Sequence, residues 1–223
     1  MPELKTFHEQ VKSGDLEGVR ASLAQNPSLL DAINEAGQSS FLLAKYYRQE
    51  KTADYLLSLN PQLDIFNSCV AGRVSDVMAA IDQNPTLLEA HSSDGWTPLH
   101  LAAFFGHADL ATALLVRGAR IDSRSTNAMQ NTPLHAAAAG GHVDLVTLLL
   151  QRGAAPNATQ EGGWTALHSA AQAGNRPMIE ALIANGADVN VRAGNQQAPL
   201  DLALMRGHEE IATLLEELGA KLP

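Results

Sequence analysis

Histidines and a single cysteine are the side chains of this 223-residue sequence best suited to metal binding or nucleophilic chemistry. Three of the eight histidines, His100, His135 and His168, recur at steps of 35 and 33 residues. Zinc needs nitrogen donors about 2.0–2.1 Å from one ion. If each step is one layer of packed helices, the layers are roughly 8–10 Å apart. We therefore expect these histidines to bond to a threonine or to the backbone of the adjoining turn. The same structural interpretation applies to the three histidines that follow the recurring glycines or start a second helix: His107, His142 and His208.

Cys69 cannot form an internal disulfide because it is the only cysteine, which favours a reducing, cytoplasmic setting. It aligns with Ala103 and Ala138 of the repeats described below, where a small buried residue is needed, so we expect an unreactive thiol. No phosphate-binding glycine loop, Gly-x-Ser-x-Gly, His-Glu-x-x-His or Cys-x-x-Cys motif occurs in the sequence. These observations predict a protein that is not an enzyme and that binds no cofactor or metal ion.

The formal charge of −9 is spread along the chain, so there is no basic face of the kind that nucleic acids or anionic membranes attract. The first fifteen residues are polar, unlike a signal peptide, and no segment approaches the roughly 20 apolar residues of a membrane span. With aromatic residues at only 4%, the core must consist mainly of Leu, Ala, Val and Ile.

A recurring pattern is the strongest feature of the sequence. It reads GWTPLHLAAFFGH at 95–107, QNTPLHAAAAGGH at 130–142, GWTALHSAAQAGN at 163–175 and QQAPLDLALMRGH at 196–208. The threonine can cap a helix, proline suits its first turn, and the closing glycine can end it in a left-handed conformation. In each repeat a second helix should follow, and we expect Leu114 to be buried in the second helix of one repeat and Leu148 in that of the next.

These residues resemble the ankyrin repeat, whose period is about 33 residues. The resemblance covers residues 91–223 and is closest to the stand-alone ankyrin-repeat proteins of bacteria. It implies an all-α fold, an ankyrin-repeat solenoid of about seven helix-turn-helix repeats with short β-hairpin fingers. We expect a single domain over 1–223, with three degenerate repeats including an N-terminal cap in 1–90 and four clear repeats including a C-terminal cap in 91–223. The polar end repeats predict a complete stack. A step of only 24 residues in the first part predicts that 59–67 runs from one helix to the next without a finger.

The resemblance also implies a protein–protein interaction module, acting as adaptor, inhibitor or stabiliser of another protein and binding through its concave face and finger tips. Aromatic residues are common binding hot spots, and both tryptophans occupy the same finger position. The alternative is that these tryptophans pack on the neighbouring finger. We expect the contact to lie within 91–207. The candidate protein-binding residues are Asp94, Trp96, Phe104, Phe105, Met129, Asn131, Glu161, Trp164, Gln172, Asn195, Gln197 and Met205.

Several alternatives remain open at this point. The chain could be a self-associating structural scaffold, although we expect a monomer in the absence of a partner, or it could hold a small molecule or an unrecognised active site. Arg117, Arg120 and Arg124 could form a basic guide for a partner or belong to a solvated loop. Asn190 resembles a target of asparagine hydroxylation in eukaryotic ankyrin repeats. The sequence does not identify the partner.

Overall fold

The structure is a computed structural model that describes residues 2–221. Within this range it contains fourteen α-helices, the number that seven helix pairs require, and no β-strand. One isolated antiparallel bridge joins Ile33 to Ser39. The chain divides into two compact units, Met1–Ala71 (unit 1) and Gly72–Pro223 (unit 2). The expected all-α class is confirmed.

Unit 1 holds five helices around a small apolar core. α3 packs against α1, α4 and α5, while α2 packs against α1 and α4. Phe7 and Leu56 are fully buried in this core. The helices are α1 (Pro2–Ser13), α2 (Leu16–Gln25), α3 (Ser40–Tyr46), α4 (Glu50–Ser58) and α5 (Ile65–Val70).

The short repeat of unit 1 lacks a finger, as its length predicts. Residues 59–64 connect α4 directly to α5 without regular structure. The Gln62 amide donates to Asp31 Oδ1 at 2.8 Å, and Asp64 caps α5 by accepting from the Asn67 amide at 2.7 Å. The connection is therefore held by side chains in place of a hairpin.

Unit 2 is a stack of helix pairs in two layers. α7, α9, α11 and α13 pack in order as one layer, and α6, α8, α10 and α12 pack in order as the other. The helices are α6 (Val74–Gln83), α7 (Pro98–Phe105), α8 (Ala108–Val116), α9 (Pro133–Gly140), α10 (Val143–Gln151), α11 (Ala166–Gln172), α12 (Arg176–Ala184), α13 (Pro199–Met205) and α14 (Glu209–Glu217).

The glycine that closes each repeat pattern and the histidine that follows it, which we call the Gly-His step, show why the first helix of a repeat ends where it does. Gly106 has a φ of +84°, and a Cβ at this position would lie 2.7 Å from the His142 ring. His142 Nε2 donates to the Phe104 carbonyl at 3.0 Å. Glycine is thus required both for the left-handed turn and for the close approach of the next repeat's histidine. His208 makes the same bond to the Gln172 carbonyl at 3.2 Å.

The histidine of each Thr-x-x-His sequence connects its own helix to the next finger. The Thr97 hydroxyl donates to His100 Nδ1 at 2.8 Å, and His100 Nε2 donates to the Asn131 carbonyl at 2.9 Å. His135 donates to the Trp164 carbonyl and His168 to the Gln197 carbonyl, both at 3.1 Å. The predicted structural role is confirmed, and each histidine makes both expected bonds.

The fingers of unit 2 are turns that bond to one another. They lie at 92–96, 125–131, 160–164 and 193–197, each closed by a backbone hydrogen bond between its end residues. The Thr126 amide donates to the Gly95 carbonyl at 2.9 Å, and the Glu161 amide donates to the Met129 carbonyl at 2.8 Å. The Gly194 amide donates to Gly162 at 2.7 Å. The fingers therefore form a continuous row without becoming strands.

The second helices contain one correction to the sequence interpretation. Leu114 is fully buried as expected, but Leu148 is only half-buried. The residue of α10 that corresponds to Leu114 is the fully buried Leu149, which lies eight positions after Gly141, just as Leu114 lies eight positions after Gly106. Three consecutive leucines in α10 concealed this register.

Core truncations test this register. Leu114→Ala and Leu149→Ala should each lower the free energy of unfolding by about 2–5 kcal/mol, because each deletes a fully buried side chain. Leu148→Ala should cost clearly less. Urea denaturation of the three variants measures the difference, and an equal loss for Leu148→Ala and Leu149→Ala would refute the assigned register.

Acidification tests the buried histidines. Burial lowers the pKa of His100 from 6.5 to about 4 and also lowers the pKa values of His135 and His168. The unfolded chain then binds protons that the folded chain excludes, so stability is retained above about pH 6.5 and declines as pH falls towards 4. For His100 alone the loss amounts to about 3 kcal/mol.

The measurement is urea denaturation between pH 7.5 and 4.5 for the wild type and for His100→Gln. The variant should be less stable at pH 7.5 and should lose less stability on acidification. The quantity to compare is the difference in the free energy of unfolding between the wild type and the variant. If this difference stays constant or increases as the pH falls from 6.5 to 4.5, His100 is not buried in its neutral form.

Candidate protein-binding surface

Three aromatic side chains of unit 2 form a continuous group, which we call the aromatic cluster: Trp96, Phe104 and Phe105. The Trp96 and Phe104 rings meet edge to face with centroids 5.1 Å apart, and Phe104 meets Phe105 in the same way at 5.1 Å. Trp96 belongs to a finger, whereas both phenylalanines end α7. All three are half-buried, so each ring is fixed by its neighbour and still reaches solvent.

The sequence left open whether Trp96 packs on the neighbouring finger. Its ring lies against Phe104 of its own repeat and at 6.1 Å from the His100 ring. The Trp96 amide donates to Ser92 Oγ at 3.2 Å, which fixes the finger backbone below the ring. This packing orders the indole before any partner arrives.

Trp164 occupies the same finger position with different surroundings. Its ring lies 5.3 Å from the His168 ring and is half-buried. Gln172 stands at the position that Phe104 holds in the α7 repeat. Trp164 therefore has no phenylalanine beside it on α11 and offers a smaller apolar surface than the aromatic cluster.

The remaining candidate residues lie on the same fingers and helix ends. Met129 and Met205 are 48% and 70% exposed, which is unusual for large apolar side chains. Gln197 Nε2 donates to Met205 Sδ at 3.0 Å, so a finger and α13 are joined at the surface. The exposed candidates are Asp94, Met129, Glu161, Asn195 and Met205, and the half-buried ones are Asn131, Gln172 and Gln197. Together with the aromatic cluster and Trp164 we call them the finger face.

Backbone atoms of the finger face, which the sequence analysis did not consider, maintain the stack. The carbonyls of Asn131, Trp164 and Gln197 accept from the buried histidines. Those of Phe104 and Gln172 accept from the histidines of the Gly-His steps. Because the acceptors are backbone carbonyls, the side chains at these positions can be substituted without removing the histidine hydrogen bonds that hold the fingers and helix ends in place.

The three arginines do not form a free basic patch. Arg117 pairs with Asp82, and Arg120 Nε lies 3.1 Å from Glu89 Oε2. Arg124 donates to the Thr159 carbonyl at 2.6 Å and to the Gln130 carbonyl at 3.1 Å. Each guanidinium thus connects neighbouring parts of unit 2, which favours a structural role over electrostatic guidance of a partner.

Asn190 has structural hydrogen bonds at the end of unit 2. Its Nδ2 donates to the Gly219 carbonyl at 3.0 Å, and its Oδ1 accepts from the Lys221 amide at 2.9 Å. The side chain therefore joins two successive turns, as Asn157 does one repeat earlier by donating to the Gly186 carbonyl at 2.9 Å.

Residues 2–221 contain no evident metal site, and one depression of unit 1 has no charge that favours a particular ligand. Residues 2–221 contain no group of three His, Cys, Asp or Glu side chains placed to hold a metal ion. In unit 1, a depression of about 870 Å³ lies between α1 and residues 33–36. Lys5 and Lys12 on its wall are balanced by Glu9 and Glu35, so its charge indicates no ligand class. Residues 2–221 also contain no helix that is both long and apolar enough to cross a membrane.

Cys69 lies on α5 with no exposed surface, as its alignment with the buried alanines predicts. Burial raises the pKa of its thiol well above the ordinary value, with the nearby Asp64 carboxylate as a smaller cause. Thiolate, the reactive form, is therefore disfavoured at neutral pH.

Thiol labelling tests this assignment. The folded protein should react with a disulfide reagent at least about a hundredfold more slowly than the same protein in concentrated urea, since reaction requires local opening of unit 1. Equal rates in the two conditions would show that Cys69 is accessible in the native state.

Comparison with protein families agrees with the repeat architecture. A family model described as ankyrin repeats (3 copies) matches three overlapping stretches, residues 7–125, 76–160 and 152–222. Ankyrin repeats are generally protein–protein interaction modules. Because these matches together extend over 7–222, and the helix pairs, glycine turns and fingers have the matching period, the chain belongs to the ankyrin-repeat family.

Proposed function

We propose that the protein binds a partner protein through the finger face of unit 2, with the aromatic cluster as the main anchor. The observation that carries the proposal is the edge-to-face packing of Trp96 on Phe104 and of Phe104 on Phe105 at a partly exposed site. Partly exposed rings that hold one another in place offer apolar area that a partner can cover.

The physical advantage of this anchor is preorganisation. The Trp96 ring is held by Phe104 and its backbone by the Ser92 bond, so the side chain has less rotamer freedom to lose on binding. Aromatic side chains also supply a large contact area, which explains their enrichment among hot spots. Met129 and Met205 would extend the apolar contact with side chains that adapt to an irregular partner surface.

The proposal includes a role as adaptor, inhibitor or stabiliser, without catalysis, in a reducing cytoplasmic setting. The exposed Glu180, which is paired with Arg176 within α12, favours solubility for that part of the second helices over a second contact. A self-associating scaffold is the alternative. Light scattering of the purified protein distinguishes the two, because a scaffold would form dimers or larger species in the absence of any partner.

Alanine substitutions test the anchor. Trp96→Ala, Phe104→Ala and Phe105→Ala should each weaken a partner, identified by affinity purification and mass spectrometry, by about 5- to 30-fold. Titration calorimetry measures the affinity. Urea denaturation of each variant measures how much of the change comes from folding.

Arg152→Ala and Glu180→Ala are the matched controls, because both side chains are exposed and lie at or on second helices. They should leave affinity nearly unchanged. A partner that binds all three aromatic variants as tightly as the wild type would move the interaction away from the finger face.

A further inference from the structure

The finger face already uses its backbone hydrogen-bonding groups within the row of fingers. The amides of Thr126, Glu161 and Gly194 donate to the preceding fingers. Residues 72–221 contain no strand whose edge could accept an added strand. A partner segment that satisfies its own backbone, as an α-helix does, therefore suits this surface better than an added strand.

The surface beside the aromatic cluster has room for such a helix. In the next repeat, Ala139 and Gly140 replace Phe104 and Phe105, and Ala139 is exposed. A Cβ on Gly140 would lie 2.3 Å from the Phe104 carbonyl, so no larger residue fits at this one position without displacing backbone, and the missing side chain leaves space beside the aromatic cluster.

The width of this surface can be estimated from the helix layer. α9 and α11 lie between α7, which carries the aromatic cluster, and α13, which carries Met205. With neighbouring helices packed roughly 8–10 Å apart, the aromatic cluster and Met205 are about 24–30 Å apart. We call them the aromatic wall and the far wall of this surface. A helix with its side chains is about 10–12 Å wide, so one fits against the aromatic wall.

Carboxylates border this surface at both ends of the first helices. Asp94 and Glu161 lie on the fingers, and Asp109 and Asp144 lie in the first turns of α8 and α10. Glu161, Asp109 and Asp144 take part in no ion pair among the described residues. The residues between the two ends, such as Ala139 and Gln172, are uncharged.

The basic side chains nearby offset these carboxylates only in part, because the four carboxylates outnumber Arg124 and Arg206. The Arg124 guanidinium is held by the carbonyls of Gln130 and Thr159, and Arg206 is exposed at the far wall on the last repeat. The apolar part of the finger face is therefore bordered mainly by negative charge, which favours a cationic partner.

We infer that the partner segment is an amphipathic α-helix whose apolar stripe lies against the aromatic cluster and Ala139, and whose flanking positions carry lysine or arginine. This inference rests on the proposed function and specifies the chemistry of its partner. The apolar stripe would cover Phe104 and Met129, while the basic side chains would approach the carboxylates at the two ends.

The probe is a phage-displayed library of 18-residue helical peptides, selected on the full chain beside a library of extended peptides with the same composition. The helical library should yield binders with a net positive charge and apolar residues at i, i+3 and i+4 spacing. Enrichment only from the extended library, binders that are acidic or uncharged, or no enrichment at all would each overturn the inference.

A variant that fills the space sharpens the test. Ala139→Trp should weaken the selected peptide at least tenfold, while Ala184→Trp, at an exposed alanine of α12, should have no effect. Ala139→Arg provides a second variant should the tryptophan perturb folding, with Ala184→Arg as its control. Unchanged affinity in both Ala139 variants would place the peptide elsewhere.

The charged border is tested by the double variant Asp144→Asn, Glu161→Gln and by salt. The double variant should weaken the selected peptide about threefold or more, and affinity should fall between 0.05 and about 0.5 M salt, where exposed charges are screened. Insensitivity to both would remove the electrostatic part of the inference.

Failure of this inference can be distinguished from failure of the proposed function. A natural partner that is weakened by the aromatic-cluster variants but not by Ala139→Trp, and that presents no basic helix, would leave the proposed function intact. A partner unaffected by the aromatic-cluster variants would reject both.

Discussion

The buried histidine of each Thr-x-x-His sequence is the constraint on which the arrangement of unit 2 depends. One imidazole accepts from the threonine that starts its helix and donates to the carbonyl that ends the next finger. Because the first bond is internal to a repeat and the second crosses to its neighbour, helix start and finger position are coupled. Burial keeps the ring neutral, since its pKa is lowered, and only the neutral ring can accept at Nδ1 while donating at Nε2.

Because of this coupling, backbone atoms maintain the stack of repeats, whereas a partner would contact the side chains of the same residues. The acceptors are backbone carbonyls of residues such as Asn131 and Phe104, whose side chains lie on the finger face. A change of side chain there leaves the acceptor in place, so the surface can be varied with little effect on the scaffold. The aromatic cluster is the part of this surface where side chains also support one another, through edge-to-face contacts worth about 0.5–1.5 kcal/mol each beyond their buried area.

Charge is distributed in a way that supports the same division. Arg117, Arg120 and Arg124 are used within unit 2, in contacts with acidic side chains or backbone carbonyls of neighbouring segments. Carboxylates such as Glu161 and Asp144 remain exposed around the apolar surface. The three arginines thus serve cohesion together with carboxylates such as Asp82 and Glu89, and the remaining exposed carboxylates leave a surplus of negative charge, which is consistent with the formal charge of −9 and with the basic helix that we infer as partner.

Local sequence determined much of this protein, because each signal acts within a few residues. Thr97 and Pro98 start a helix, Gly106 ends it, and the missing residues near 59–64 remove a finger, as the spacing predicted. The burial of Cys69 followed from its alignment with alanines. Some tertiary contacts, within and between repeats, could not be derived in this way. The choice of Leu149 over Leu148 for the core, the packing of Trp96 on Phe104 and the capture of Arg124 by the next finger depend on how neighbouring turns are rotated. When three leucines are consecutive, the periodic pattern fits several rotations of the helix almost equally well. A long side chain such as arginine likewise has several acceptors within reach. The tertiary structure alone therefore decided these features.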